Sequence, residues 1–193
     1  MNKLTRLKTD LPKSNILIIK KITLNPKEIW FLSCKSIKDN KFSLYIPKAF
    51  GFAKPKQGFA TELEKRKIIN VNNNLYILIN YSDEFNVRSL KKISDFGEMH
   101  NFTSGLRILK IKGRDSGKVV NRLLEIDAEK MKKGQICKIT IFSQTGYLIM
   151  INQGEYELIF PYSYLIYIDF MIKKIVSKLE KLKQSEIQLI SFI

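Results

Sequence analysis

The chain has 193 residues, of which 34 are Lys or Arg and 18 are Asp or Glu, so its formal net charge is +16. Hydrophobic residues make up 45% of it, which is enough for a real core and excludes wholesale disorder. The longest mainly apolar segment, 147–170, is interrupted by polar and acidic residues, so it lacks the run of about 20 apolar residues that a transmembrane helix needs. Such a large positive charge favours a polyanionic partner, and we predict first that the protein binds RNA or DNA.

Amino-acid usage is biased toward residues with A/T-rich codons. There are 28 Lys but 6 Arg, and 28 Ile and 13 Asn but only 4 Ala. The opening segment, MNKLTRLKTD, has neither the apolar core of a secretion signal nor a long amphipathic presequence. We therefore expect a protein of the mitochondrial matrix that is encoded in the organelle. A plastid, or the cytoplasm of an A/T-rich organism, is the alternative.

The first half of the chain predicts short strands separated by polar turns. Three segments have the short apolar runs typical of strands, namely 16–23, 29–33 and 41–46. Pro47 would end the third strand because it has no amide donor. A loop with glycines and lysines follows at 50–60, and Asn72-Asn73-Asn74 predicts a hairpin turn because Asn tolerates positive φ. The segment 82–104 is polar and irregular.

The second half predicts two helices and a meander of strands. Residues 105–112 alternate as a strand, and 118–133 has the apolar spacing of a helix. Four strands are then predicted from the segments ICKITIFS, GYLIMIN, YELIF and YLIYIDF, with turns at 145–146, 153–154 and Pro161. The segment 171–184 predicts an amphipathic helix, and 185–193 a final strand. Because helices and strands mix without a βαβ rhythm, the pattern favours an α+β fold.

The side chains that usually perform catalysis are scarce. Cys34 and Cys137 are isolated, His100 is the single histidine, and no acidic pair or metal cluster stands out. In the segment 113–119, three residues separate the glycines and Val119 follows the lysine. A phosphate-binding loop needs four residues there and then Ser or Thr. We therefore expect no enzyme activity, no small-molecule substrate, no metal and no cofactor.

Two basic segments suit contact with RNA. Lys54 and Lys56 share a loop with phenylalanines, so that cations and aromatic faces for stacking on bases lie together. The alternative, in which the rings pack inward and only the lysines meet solvent, is equally open. The lysines of the 171–184 helix form either a solvated face or a further RNA contact. The excess of lysine over arginine suits sequence-tolerant phosphate binding.

A hairpin in the second half resembles the second domain of ribosomal protein six of the large subunit. The matching residues are Gly146-Tyr147, Gly154, Leu158, Phe160 and Pro161-Tyr162-Ser163-Tyr164. Arg122-Leu123-Leu124 stands where that family has a linking helix, and 185–189 is similar to its late strand. The resemblance covers 119–193, with Pro161 and Tyr164 replacing a glycine and a histidine of the family. A rival resemblance, through Gly113-Arg114, Gly117 and Arg122, is to ribosomal protein three of the small subunit.

The resemblance implies a structural constituent of the ribosome that binds large-subunit rRNA beside neighbouring ribosomal proteins and contacts no membrane. Its fold would be two small antiparallel sheets, each packed against a helix. Residues 1–40 would be an N-terminal extension or edge strands, 41–117 a first α+β unit and 118–193 a second. The alternatives are a small-subunit ribosomal protein and an accessory subunit of an organellar membrane complex. Charge and the resemblance together assign RNA contacts to Lys54, Lys56, Arg114, Lys118, Tyr162, Ser163, Tyr164, Lys173 and Lys174.

Overall fold

Ten strands and three α-helices form the described part of this computed structural model, which comprises residues 19–34, 39–51, 53–82 and 95–190. The strands are β1 (Lys20–Leu24), β2 (Glu28–Cys34), β3 (Phe59–Leu63), β4 (Arg66–Asn72), β5 (Leu75–Asn80), β6 (Gly97–Asn101), β7 (Leu106–Lys112), β8 (Ile136–Ile141), β9 (Gln144–Asn152) and β10 (Glu155–Pro161). The helices are α1 (Asp39–Phe50), α2 (Ser116–Leu124) and α3 (Leu165–Ile190). Sheet A has the order β1-β7-β10-β9-β8 and sheet B the order β3-β4-β5-β2-β6, both antiparallel. This confirms the predicted α+β fold.

The elements stack as four layers, with α1 on sheet B, sheet B on sheet A, and α2 and α3 on the far side of sheet A. On β5, Tyr76 and Leu78 pack toward α1, whereas Ile77 and Ile79 join the cluster shared with sheet A. On β10, Leu158 belongs to the cluster under the helices. The central strands are therefore buried on both faces, which is why they appear in the sequence as nearly continuous apolar runs.

Helix α1 occupies a segment where a strand was predicted over 41–46, so that prediction is wrong. Phe42 and Ile46, one helical turn apart, are fully buried in the cluster between α1 and sheet B. Burying two such side chains contributes about 1.5–3 kcal/mol each, which offsets the cost of about 3 kcal/mol for Pro47 inside the helix. The carbonyl of Pro47 still accepts the amide of Gly51 at 3.0 Å.

Helix α3 confirms the helix predicted over 171–184 and extends it in both directions. The segments 165–170 and 185–190, predicted as strands, are helical, and 191–193 lie outside the described residues. The buried stripe of Ile168, Ile172 and Leu179 favours a helix over 168–179, because these residues follow one helical period. Within the described ranges, no helix is both long enough and apolar enough to span a bilayer.

The turns were predicted in part. The hairpin at 72–74 and the turn at 153–154 are confirmed, since β4–β5 and β9–β10 are joined there. The turn predicted at 145–146 is wrong, because Phe142 and Ser143 connect β8 to β9. The predicted 118–133 helix is shorter, since Glu125 has a left-handed φ of 53° and ends α2. Sheet A combines β1 with β7–β10. The division of the chain into an N-terminal segment and two α+β units, with boundaries after residues 40 and 117, stays a prediction.

Candidate functional site

The two lysines predicted as RNA contacts before β3 differ in their surroundings. The Nζ of Lys54 lies 3.2 Å from the Oη of Tyr76 and 5.6 Å from the centroid of its ring. Lys56 is exposed, and its carbonyl accepts the amide of Phe59 at 3.0 Å. Phe52, predicted to share this loop, lies outside the described residues. Lys54 therefore packs on a core tyrosine, and Lys56 is the solvent-facing member of the pair.

Arg114 and Lys118 lie on either side of one buried carboxylate at the start of α2. The Nζ of Lys118 is 3.3 Å, and the Nε of Arg114 3.9 Å, from the carboxylate oxygens of Asp115, which is 2% exposed. The hydroxyl of Ser116 donates to the carbonyls of Gly113 and Gly154 at 2.7 and 2.8 Å. The turn is thus tied to the β9–β10 hairpin, and much of its positive charge is balanced within the protein.

A second carboxylate occupies the same end of α2. A Cβ atom added to Gly117 would lie 2.8 Å from the Oε1 of Glu129, so this side chain covers the first turn of the helix. A cavity of about 410 Å³ lies beside it, lined in part by Lys112, Arg114 and Tyr156. The amide groups of a helix N-terminus attract anions, and here the protein supplies the anion itself.

Tyr162, Ser163 and Tyr164 form a 3-10 turn between β10 and α3. The guanidinium carbon of Arg107 lies 4.2 Å from the centroid of the Tyr162 ring, a cation–π contact. The ring of Tyr164 stacks on Phe142, with centroids 5.4 Å apart, and its hydroxyl donates to the Phe142 carbonyl at 3.3 Å. Ser163 is exposed. Tyr164 is therefore brought together with Phe142 of the β8–β9 turn, a residue that the sequence analysis did not identify, whereas Tyr162 packs against Arg107.

The first two turns of α3 continue this apolar surface. Ile166 is 85% and Phe170 58% exposed, and the ring of Tyr167 meets that of Phe142 edge-on with centroids 4.4 Å apart. We call Phe142, Tyr164, Ile166, Tyr167 and Phe170 the aromatic patch. The sequence reasoning missed it because 164–170 was assigned to a strand. The spacing of Ile166 and Phe170, four residues apart, is the signal that could have revealed it.

Lys173 and Lys174 follow the aromatic patch along α3, and both are exposed. Lys173 pairs with Asp169 at 2.8 Å, and Asp169 also pairs with Lys21 of β1. Among the described residues, no acidic side chain pairs with Lys174. The structure thus places Lys173 and Lys174 on the same element as the aromatic patch, and Lys54, Lys56, Arg114 and Lys118 elsewhere.

An ion-pair network crosses the apolar layer between the two sheets. Lys67 of β4 and Glu157 of β10 pair there, with side chains only 1% and 2% exposed. Lys67 also lies 3.0 Å from Glu62, and Lys110 lies 3.4 Å from Glu157 and 2.9 Å from Glu155. Charges buried as deeply as Lys67 and Glu157 require partners, and signs alternate along the contacts from Glu62 through Lys67, Glu157 and Lys110 to Glu155.

The protonation of this network reflects both burial and pairing. Burial acts to raise the pKa of Glu155, but the hydrogen bond and charge of Lys110 outweigh it and leave that pKa below its ordinary value. Burial likewise acts to lower the pKa of Lys110, which its bonds to Glu155 and Glu157 raise instead. Burial, and then the charges of Glu157 and Glu62, raise the pKa of Tyr81. These directions favour the charged forms of Glu155 and Lys110 and the neutral form of Tyr81.

A polar cleft is lined in part by Arg107, the residue that stacks on Tyr162. It has a volume of about 490 Å³ and is lined by Asn25, Pro26, Asn101, Thr103, Ser104 and Arg107. Arg107 donates from one terminal nitrogen to the carbonyls of Thr103 and Leu106 at 3.3 and 2.7 Å. Among the described residues, no group of three His, Cys, Asp or Glu side chains is placed to hold a metal ion.

The fold is similar to that of two solved enzymes. A chain of the heterotetrameric sarcosine oxidase from Corynebacterium sp. U-96, solved with pyrrole 2-carboxylate, matches with a TM-score of 0.72 and 9% identity, over 87% of this chain and 90% of that one. Aminomethyltransferase T of the glycine cleavage system from Bartonella henselae matches with a TM-score of 0.63 and 9% identity, over 82% of this chain. This chain spans 46% of that protein, less than half. No protein-family model matches the sequence, and no curated protein is similar to it. At this identity the comparisons establish the fold alone.

These similarities overturn the predicted function. The resemblance to ribosomal protein six is wrong, since the structural neighbours are a sarcosine oxidase and an aminomethyltransferase. The predicted role in the large ribosomal subunit, with rRNA and ribosomal proteins as partners, is therefore wrong as well. The two alternatives, a small-subunit ribosomal protein and an accessory subunit of a membrane complex, do not fit either. The expectation of a protein without enzyme function or small-molecule substrate is also wrong, because both neighbours are enzymes that act on small molecules.

The residues behind the resemblance have structural reasons to be there. A Cβ atom on Gly146 would lie 2.8 Å from the carbonyl oxygen of Ile159 on the adjacent strand, so only glycine fits. Gly154 has a φ of 71° in the β9–β10 turn, and Pro161 closes β10. A hairpin in any protein can need such residues, so they reflect backbone geometry rather than a ribosomal partner. The structure shows where each side chain predicted to contact RNA lies, but it does not test the contact, so these assignments stay predictions.

Proposed function

We propose that this chain is a subunit of a multi-subunit enzyme that oxidises sarcosine or a similar small N-methylated amino acid. The observation that carries the proposal is the near end-to-end match with a chain of heterotetrameric sarcosine oxidase, over 87% of this chain and 90% of that one. The match with aminomethyltransferase T leaves more than half of that protein without a counterpart.

The arrangement of the described residues supports a subunit role. The catalytically versatile groups are dispersed: His100 is 61% exposed on an edge strand, and the buried carboxylates of the sheet interface are paired with lysines. An exposed apolar surface, the aromatic patch, gives the chain a means of joining other subunits. The assembled enzyme would then carry out the oxidation, with this chain as one of its subunits.

The test is to isolate the assembly from the cells that carry this gene. A tagged copy of the chain is purified at low salt, its companions are identified by mass spectrometry, and sarcosine-dependent oxygen consumption is measured. We expect co-purified oxidase subunits and an activity that disappears when the gene is deleted. A chain that purifies alone, together with unchanged sarcosine oxidation in the deletion strain, would refute the proposal.

The similarity to aminomethyltransferase T supports a second candidate, an enzyme that transfers an aminomethyl group. The supporting observation is the TM-score of 0.63 over 82% of this chain. The same deletion strain distinguishes the two functions. Loss of glycine cleavage with intact sarcosine oxidation would favour the second candidate over the first.

A further inference from the structure

The aromatic patch is the largest group of neighbouring exposed apolar side chains among the described residues. Ile166, Phe170 and Phe142 are 85%, 58% and 51% exposed, although side chains of this size are normally buried. Leu44 on α1 and Leu63 on β3 lie on other elements, whereas Tyr162 precedes the patch in the 3-10 turn and Leu182 lies further along α3. A contiguous exposed patch of this kind marks a site where another molecule binds.

The tip of the patch is held in a strained but fixed conformation. Phe142 and Ser143 both have positive φ, 46° and 68°, in a two-residue hairpin turn that normally prefers Asn-Gly. Stacking by Tyr164, the hydrogen bond from its hydroxyl and the edge contact of Tyr167 hold Phe142 in place. Strain that the surroundings maintain is typical of functional sites, and a rigid ring loses little entropy when it is bound.

Basic side chains continue from the patch along the exposed face of α3. At about 100° per residue, Lys173 and Lys181 fall on the same side of the helix as Ile166 and Phe170. Lys174, Lys178 and Lys181 are exposed, and no acidic side chain among the described residues pairs with them. We call Lys174, Lys178 and Lys181 the basic stripe, and leave Lys173 out of it because Lys173 pairs with Asp169. The stripe adds a positive flank to the apolar patch.

We propose that the aromatic patch and the basic stripe together bind a partner subunit of the enzyme, one that presents an apolar pocket flanked by carboxylates. This inference rests on the proposed function and names its interface. A second copy of this chain is a poor occupant, because each copy carries a net charge of +16 and would bring a like-charged stripe. A fixed aromatic anchor beside a charged rim is the arrangement of a protein–protein hot spot.

The experiment uses the complex purified through the tagged full-length chain, with paired variants. Phe142→Asn combined with Ser143→Gly removes the ring while giving the turn its preferred residues, so folding is preserved. Ile166→Asp places a charge in the patch, and Leu44→Asp, at a residue that is 73% exposed on α1, is the matched control. Melting temperatures are recorded for every variant, and the dissociation constant is measured by titrating the separated oxidase subunits.

We expect each patch variant to bind about 30-fold more weakly, the effect of losing one hot-spot residue, and the Leu44→Asp chain to bind as the wild type does. Lys174→Glu with Lys178→Glu should weaken binding at low salt and have less effect at high salt. Patch variants that bind normally would overturn the interface while leaving the proposed function standing. A wild-type chain that captures no sarcosine-oxidising subunits would refute both. Patch-dependent self-association, or patch-dependent binding to vesicles of anionic phospholipid, would overturn the assigned partner.

Discussion

Breaking the buried Lys67–Glu157 pair tests whether the two sheets are coupled through charge. Replacing one member, by Lys67→Met or by Glu157→Leu, leaves the other charge in the layer between the sheets at 1–2% exposure. Removing one partner of a buried pair costs about 3–5 kcal/mol. We expect the lower end, about 3 kcal/mol, because Lys67 retains Glu62 at 3.0 Å and Glu157 retains Lys110 at 3.4 Å.

The double variant separates pairing from burial. With both charges replaced by apolar side chains of similar size, we expect stability within about 1 kcal/mol of the wild type. If the two single losses of about 3 kcal/mol were independent, the double variant would lose about 6 kcal/mol. We expect its free energy of unfolding to be higher than that sum implies by about 5 kcal/mol. Urea unfolding followed by circular dichroism gives all four free energies. Lys173→Met, which removes one lysine from a partly exposed pair with Asp169, is the control and should cost less than about 1 kcal/mol. If the two single effects simply add in the double variant, the charges act independently and the reasoning is refuted.

Three further changes give distinct expected results. Tyr81→Phe should leave the free energy of unfolding unchanged or raise it by up to about 1 kcal/mol, because the buried Tyr81 hydroxyl makes no hydrogen bond among the described residues. A clear loss of stability in urea unfolding would contradict this. Gly146→Ala should destabilise by about 1–3 kcal/mol, since its Cβ would lie 2.8 Å from the carbonyl oxygen of Ile159, and an unchanged melting temperature would argue against so tight a contact. Because Lys110 keeps the pKa of Glu155 below 4.5, the stabilisation from Glu155 is present above that pH and is lost as the pH falls through the folded pKa. Glu155→Gln should flatten the acid side of the stability–pH curve, and an unchanged slope would show that Glu155 does not titrate in this way.

The sequence predicted the strands that are buried on both faces better than it predicted the surface helices. β7 and the β4–β5 hairpin follow from apolar runs and asparagine turn residues, because those signals are local. The start of α3 could not be found in this way, since YLIYIDF is rich in the aromatic and β-branched residues that favour strands. Its helical state depends on Ile168 and Ile172 packing against sheet A, a long-range contact. The aromatic patch was missed for the same reason.

The net charge misled the functional prediction because it was counted without regard to position. Lys67 and Lys110 neutralise carboxylates between the sheets, and Lys118 and Lys173 pair with carboxylates near them, so none of these four is a bare surface cation. The lysines on the outer face of α3 are different, because several of them lie in solvent without an acidic partner among the described residues. The inner faces of the two sheets pack against each other, and their outer faces pack against helices. Among the described residues, unbalanced charge and exposed aromatic surface coincide on the outside of α3 and the turn beside it, and a partner that binds there would contact both.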